Sequence, residues 1–495
     1  MALALYAPVS VAGAGLGNGR EALQEAVGLL RPIIDAGRGT RGAKLAFGDM
    51  LQLLAHLEPR PEDGIVLCEE SRQVLAGMGA LKLTDLTAAS IYADVTDSES
   101  RMAEEIGQLD RAMQLSRQVA ELSDQVLAKR PGDLRALRNR FYAANLQGML
   151  AEEQGDLVAA TQCYERARDA MDHDLGFDPT DALGWHLFAM SYFDLAWVTA
   201  ESGRITEALK LYRTGADLAH DPRNQTGVSL GLYLCMTGCP RWDAQRGDFA
   251  AAAADVARAK ELYRRYVRDR SEDVGFQQVS KLEMQNREYE ILAAKNDYGA
   301  ILPEVVEATR RLVVLHLSGG DQALQTLALM ENREWIVDAA LETGHYPEAI
   351  DAARDFLAQK IVSPIIARWQ KEESVARVEV MLGQALAALG RRDEALATLR
   401  KAESYYRHRL GRGDQTVTFN WGCARAFYAL AEVQPPDDDG RKRRVALLAE
   451  AARELSGLSA EAQQLATSRQ LAGWIRGAQA APAATGSSAV SVGGR

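Results

Sequence analysis

Apolar residues return along this chain at steps of three and four, the spacing that gathers them on one face of an α-helix. In residues 152–167 the stripe is Leu157, Ala160, Tyr164 and Ala167, and it follows a break at Gly155 and Asp156. Glycine accepts the positive φ that closes a helix, and an aspartate after it caps the next one. The stretch therefore predicts a helix ending at Gln154, a bend at Gly155 and a second helix beyond Asp156. Small Ala160 lets the two helices approach, and Tyr164 fills the space beside it. The same bend and stripe recur at Gly107 (Leu109, Ala112), Gly203 (Ile205, Ala208, Tyr212), Gly247 (Phe249, Ala252), Gly344 (Tyr346, Ala349) and Gly390 (Ala395, Ala402). A degenerate copy stands at Asn296, Asp297 and Tyr298, since asparagine also tolerates the left-handed conformation.

This signature resembles the turn and second helix of the tetratricopeptide repeat, and the resemblance covers roughly residues 82–410. It implies an all-α fold, a right-handed α-solenoid of stacked helix hairpins in a TPR-like superhelix. The turn positions 107, 155, 203, 247, 296, 344 and 390 are separated by 48, 48, 44, 49, 48 and 46 residues, where the standard repeat takes about 34. An excess of about 14 residues is almost four helical turns. Lengthening both helices by whole turns keeps each stripe on its face. Pro131 and Pro179 each follow their turn by 24 residues, against about 17 in the standard repeat, which assigns about two extra turns to the second helix or to helix plus loop. Helices of about 20 residues are expected.

The flanks are less regular. Residues 1–19 read as a flexible, glycine-rich leader, and residues 20–81 as divergent helical repeats. There a helix is expected from Glu21 to Gly37, kinked or restarted at Pro32, then a hairpin over 45–59 and 64–77. The array spans 82–410. Residues 411–476 supply a closing pair, 411–433 and 441–458, and a capping helix from Ala460 to Ile475. Residues 477–495 read as a disordered tail.

Composition narrows the function. A net charge of −11 over 495 residues disfavours non-specific binding to nucleic acid or an anionic membrane. No run approaches the roughly 20 apolar residues of a membrane span. The first positive charge is Arg20, so a secretory leader is not indicated. Five scattered cysteines, Cys68, Cys163, Cys235, Cys239 and Cys423, form no disulfide framework. Together these predict a cytoplasmic protein with neither nucleic acid nor membrane as partner.

Candidate chemistry is thin. Gly37, Gly39 and Gly42 have dinucleotide-loop spacing, but that loop needs a preceding strand, and the residues before Gly37 look helical. Asp172, Asp174, Asp178 and Asp181 fail the calcium-loop pattern, with Gly176 and Leu183 where acids belong. Cys235 and Cys239 are one helical turn apart and read as packing residues. The seven histidines make no metal pair, and no nucleophile turn is present. The basic run Arg441–Arg444 follows Asp437–Asp439, which can neutralise it. No catalytic residue, cofactor or metal is expected.

The repeat resemblance points to a surface instead. In that family the second, fifth and ninth positions of each first helix line the concave face. Carried through the turn residues, these are Tyr142, Asn145 and Met149, then Met190, Phe193 and Trp197, then Leu234, Thr237 and Arg241. The degenerate repeat gives Glu283, Asn286 and Glu290, and the next Glu331, Glu334 and Asp338. An aromatic, Met-rich section thus precedes an acidic one, suited to a protein or peptide with a basic segment. Phe193 and Trp197 are equally of the type that packs between repeats. The Lys and Asn clamp that some family members close on a peptide carboxylate is not evident. The expected function is a non-catalytic scaffold holding a partner in its groove. The alternatives are a ligand-sensing regulatory module and an enzyme whose site is not local in sequence. The long repeats also resemble the tracts that bacterial kinases and winged-helix regulators carry C-terminally, although no kinase or DNA-binding motif accompanies them.

Overall fold

A computed structural model describes residues 16–224, 227, 229–268, 274–317, 322–359 and 368–480; the described residues hold helices and no strand. The helices are α1 (Leu16–Asp35), α2 (Arg41–His56), α3 (Pro61–Gly77), α4 (Leu86–Glu105), α5 (Leu109–Lys129), α6 (Leu134–Glu153), α7 (Leu157–Phe177), α8 (Ala182–Glu201) and α9 (Ile205–Asp217). They continue as α10 (Leu230–Arg246), α11 (Phe249–Arg268), α12 (Val274–Ala294), α13 (Tyr298–Leu317), α14 (Gln322–Glu342) and α15 (Tyr346–Ala358). The last are α16 (Arg368–Ala388), α17 (Arg392–Gly411), α18 (Val417–Glu432), α19 (Asp438–Ser456), α20 (Ala460–Gln463) and α21 (Ala466–Ala480). The expected leader and tail fall largely on 1–15 and 481–495, outside the described residues, but α1 already begins at Leu16 and α21 runs on to Ala480. The expected single capping helix is two, α20 and α21.

The chain is an all-α array of TPR-like hairpins. Each of the seven expected bends has positive φ: Gly107 (78°), Gly155 (77°), Gly203 (81°), Gly247 (86°), Asn296 (61°), Gly344 (80°) and Gly390 (74°). At each, the next amide reaches back five residues to a helix carbonyl, as from Asp156 to Ala151 at 2.9 Å and from Asp297 to Leu292 at 2.8 Å. This is the Schellman closure, which satisfies carbonyls that the helix end leaves open. Asp156 then caps α7 by accepting from the Ala159 amide at 2.9 Å, and Asp133 caps α6 through Ala136 at 3.0 Å. Most helices of the array run 17–21 residues, but α9 and α15 have 13. The Gly37–Gly42 segment is an interhelical loop in which Thr40 caps α2.

Two compact units divide the chain. Unit 1 comprises Met1–Leu195 and Asp217–Gly231, and unit 2 comprises Ala196–Ala216 and Leu232–Arg495. In unit 1 the first helices of successive hairpins, α2, α4 and α6, lie side by side, each backed by its second helix. Val27, Ile34, Phe47, Leu51 and Leu54 form one apolar cluster there. The α6–α7 pair closes because Gly148 leaves room for a ring: a Cβ at Gly148 would lie 2.6 Å from Tyr164.

In unit 2 the first helices α12, α14, α16 and α18 likewise lie side by side. The array then returns on itself. Ser459 Oγ donates to Gly203 O at 2.8 Å, and Glu461 accepts from the Thr206 amide at 2.8 Å. Thr467 N donates to Gln245 at 3.0 Å, and the Trp242 and Trp421 rings stand 6.2 Å apart. Glu201, at the end of α8, accepts from the Thr418 amide and hydroxyl at 2.9 and 2.8 Å and so caps α18. The C-terminal helices of unit 2 are therefore fastened to its first ones, contacts that the repeat period does not announce.

Candidate functional site

The fifteen residues expected to line the groove divide between the units. Tyr142, Asn145, Met149, Met190 and Phe193 fall in unit 1; Trp197, Leu234, Thr237, Arg241, Glu283, Asn286, Glu290, Glu331, Glu334 and Asp338 fall in unit 2. The Glu283 side chain lies outside the described residues.

In unit 1, Met149 and Met190 are buried and act as packing residues. Asn145 Nδ2 donates to Asp194 at 2.7 Å, and the Arg101 guanidinium lies 5.5 Å over the Tyr142 ring. Beside them Arg101 pairs with Asp97 at 2.9 Å, and Arg135 with Asp49 at 3.0 Å. Burial lifts the Asp94 carboxyl to about 6, with Arg135 pulling the other way. The aromatic surface expected here is thus largely structural and charge-paired.

In unit 2 the acidic residues do come together, and they are not bare. Asn286 Nδ2 donates to Glu331 at 2.8 Å, and Arg377 pairs with Glu334 at 3.0 Å. Each joins the fifth position of one repeat to the second position of the next. Arg287 pairs with Glu290 at 2.6 Å. Arg425 on α18 spans Asp338 at 3.0 Å and Glu342 at 3.2 Å, and donates to Gln384 at 3.0 Å. Glu290, Glu334, Asp338 and Glu342 are charge-paired, since buried carboxylates need counter-charge: Arg287 comes from the helix of Glu290 itself, Arg377 from the adjoining first helix and Arg425 from the first helix beyond that. Burial raises Glu290, Glu334 and Glu342 above the ordinary carboxyl range, against the pull of Arg287, Arg377 and Arg425 respectively.

The charges of unit 2 form one connected network. Arg241 acts electrostatically on both Glu201 and Glu290, while its guanidinium lies 5.8 Å over Trp197 and 5.0 Å over Trp242. Arg377 acts on Glu334 and Glu373, and Glu201 and Asp414 act on Glu373. Burial, reinforced by Glu201 and Asp414, lifts Glu373 to about 7 despite Arg377 and Arg409. Glu201, Glu373, Arg377, Asp414 and Arg425 did not figure among the expected site residues. Arg377 and Gln384 were within reach of the sequence: they are the second and ninth positions of the Gly390 repeat in the register used for the others. Glu201 and Asp414 sit at helix ends, outside any groove position.

All five cysteines are buried and outside any disulfide, and burial pushes the Cys68, Cys239 and Cys423 thiols up, away from thiolate chemistry. Among the described residues no group of three His, Cys, Asp or Glu is placed to hold a metal ion. None of their helices is long and apolar enough to cross a membrane. Arg441 and Lys442 face Asp438 and Asp439, while Arg444 pairs with Glu432 at 3.0 Å.

No family model matches the chain, and no curated protein matches it. Solved structures are similar over most of its length. The APC/C hetero-tetramer Cut9–Hcn1 covers 91% of this chain and 94% of its own at 11% identity and a TM-score of 0.33. Yeast Tom70 covers 93% and 96% at 11% identity and 0.31, and the human IFIT1 dimer with m7Gppp-AAAA covers 87% and 94% at 14% identity and 0.30.

Proposed function

We propose that this protein is a non-catalytic repeat scaffold, and that the inner face of unit 2 holds an extended, basic segment of a protein partner. The observation that supports this most is the charge balance of that face. The eight carboxylates of Glu201, Glu290, Glu331, Glu334, Asp338, Glu342, Glu373 and Asp414 share five guanidiniums, those of Arg241, Arg287, Arg377, Arg409 and Arg425. A surface built this way favours Lys or Arg side chains on its guest and disfavours anions. The return of the C-terminal helices onto α9 and α10 favours a narrow guest over a folded domain.

A photo-crosslinking amino acid tests this in cells expressing the chain. Placed at Trp197, it should capture a discrete polypeptide that the same group at Asp351, exposed on α15, does not. Identical products from both positions, or none at Trp197 in folded protein, would reject the proposal. The grouping of Trp242 and Trp421 beside Arg241 favours one other reading, a small ligand sensed at this face. A thermal-shift screen with small metabolites separates the two.

A further inference from the structure

We infer that Asp243 and Asp255, gathered on the single guanidinium of Arg213, form a proton-operated latch that holds unit 2 closed in acid and loosens the closure when their shared proton leaves.

The cluster is built from three helices. Arg213 Nη2 donates to Asp243 Oδ2 at 2.6 Å and to Asp255 Oδ2 at 2.8 Å. One nitrogen thus ties α9 to α10 and to α11, and it draws two carboxylates together against one cation. Asp243 and Asp255 are 3% and 8% exposed, whereas the Arg213 side chain is 38% exposed, so water reaches the cluster along the guanidinium. Two buried anions on one cation leave a charge uncompensated. A proton between the carboxylates removes it, because a protonated acid donates to its neighbour where two carboxylates repel.

The cluster stands where the closure of unit 2 is made. Ser459 and Glu461 bond to Gly203 and Thr206 at the start of α9. At the end of α10, Thr467 bonds to Gln245 and Trp421 packs on Trp242, the residues on either side of Asp243 along the chain. The C-terminal helices therefore grip α9 and α10 at once, and both grips fit only while those two helices keep their spacing. The Arg213–Asp243 bond spans that spacing. When the pair ionises, like charges meet in a buried site and relax by parting. α10 and α11 then shift against α9, and one grip is lost.

The titratable groups facing Asp243 are Arg213 on α9, Asp255 on α11, Asp248 in the turn between α10 and α11, and Cys239 one turn earlier on its own helix. Trp421 of α18 and Thr467 of α21 bring no charge to this end of α10. Burial, reinforced by Asp255 and Asp248 against the pull of Arg213, lifts the Asp243 carboxyl to about 7. Parted and solvated, it returns toward about 4. The closed form holds the proton more tightly, so closure is fully supported in acid and the support is lost as pH climbs through about 7.

Hydrogen exchange on the full chain reads the closure in peptides covering 203–209 and 459–468, as protection relative to the intrinsic rate at each pH. Protection there should fall about tenfold between about pH 6 and about pH 8.5. Asp243→Asn leaves an amide that donates to Asp255 but cannot ionise, and it should stay protected across that range. Asp255→Asn removes the other charge and should do the same, so it carries the test where Asp243→Asn fails to fold. Asp174→Asn removes a carboxyl of unit 1 that burial also lifts to about 7, and it should leave the fall unchanged. Wild-type protection that holds through pH 8.5 overturns the latch, as does a fall of the same size in Asp243→Asn. A fall abolished by Asp174→Asn overturns it too, because the loss would then be general unfolding. None of these outcomes bears on crosslinking at Trp197, which tests the scaffold reading separately.

Discussion

At the scale of single residues, two kinds of glycine shape the hairpins, and they differ in how openly they declare themselves. Gly155 was readable because a bend between two amphipathic stripes has one requirement, a positive φ, and few residues meet it. Gly148 was not, since its role depends on Tyr164, 16 residues on and across the hairpin. Only coordinates show that a Cβ there would lie 2.6–2.9 Å from three atoms of that ring. The relation recurs between Gly383 and Leu399, and in reverse order between Tyr406 and Gly422. Gly148→Ala should cost roughly 1–3 kcal/mol in urea unfolding, since both partners are fixed by packing. Pairing it with Tyr164→Leu should recover part of that loss. A double variant no more stable than the sum of its parts would mean that the ring is not what excludes the methyl group.

At the scale of elements, the first helices explain why the site was half legible. Stepping through the turn residues placed Glu290, Glu331, Glu334 and Asp338 on adjoining helices, and adjoining they are. What the stripe pattern could not supply was their partners. Arg425 lies 87 residues from Asp338, on a helix whose following bend carries no glycine mark. The pairing changes what charge reversal does. Asp338→Lys sets an ammonium against the Arg425 guanidinium, which Asp338 and Glu342 hold in its charged form despite burial. The cost should be on the order of 3 kcal/mol. Glu331→Lys, whose partner is the neutral amide of Asn286, should cost less and chiefly affect binding of a basic guest. Chemical denaturation of the two variants side by side checks the order; equal costs would show that Arg425 is not the partner that matters.

At the scale of the whole molecule, two properties emerge that no single repeat contains. The first is proton uptake on folding. Burial lifts Asp94 and Asp194 to about 6 and Glu373 to about 7, and also raises Asp174, Asp243 and Glu342. Unfolded, such groups titrate near about 4. Between those values the folded chain binds more protons at these groups, so their contribution to stability is full below about pH 4 and is lost as pH climbs through 6 and 7. His56, whose protonation burial disfavours, works in the opposite sense, as do Asp85, Asp178, Asp221 and Glu394, whose hydrogen bonds hold them low and whose contribution is lost only in more acid solution. The urea midpoint should therefore be higher at about pH 5.5 than at about pH 8; a midpoint that rises with pH would contradict the burial of these carboxyls. The second property is closure of unit 2. Repeat periodicity is a one-dimensional signal, and it predicts hairpins that lean only on their neighbours. The bonds from Ser459 to Gly203 and from Thr206 to Glu461 link residues 256 and 255 positions apart, which no local pattern records. Removing the residues beyond Ser456 distinguishes the two architectures. In an open array the loss stops at the last hairpin, and exchange of amides in α9 stays as it was. In the closed unit, the Thr206 amide loses its acceptor on Glu461 and the α9 N-terminus loses its cover, so hydrogen exchange there should accelerate although the deletion lies some 250 residues away. Unchanged protection at Thr206, with faster exchange confined to α18 and α19, would show that the fastening contributes nothing to the stability of the first helices.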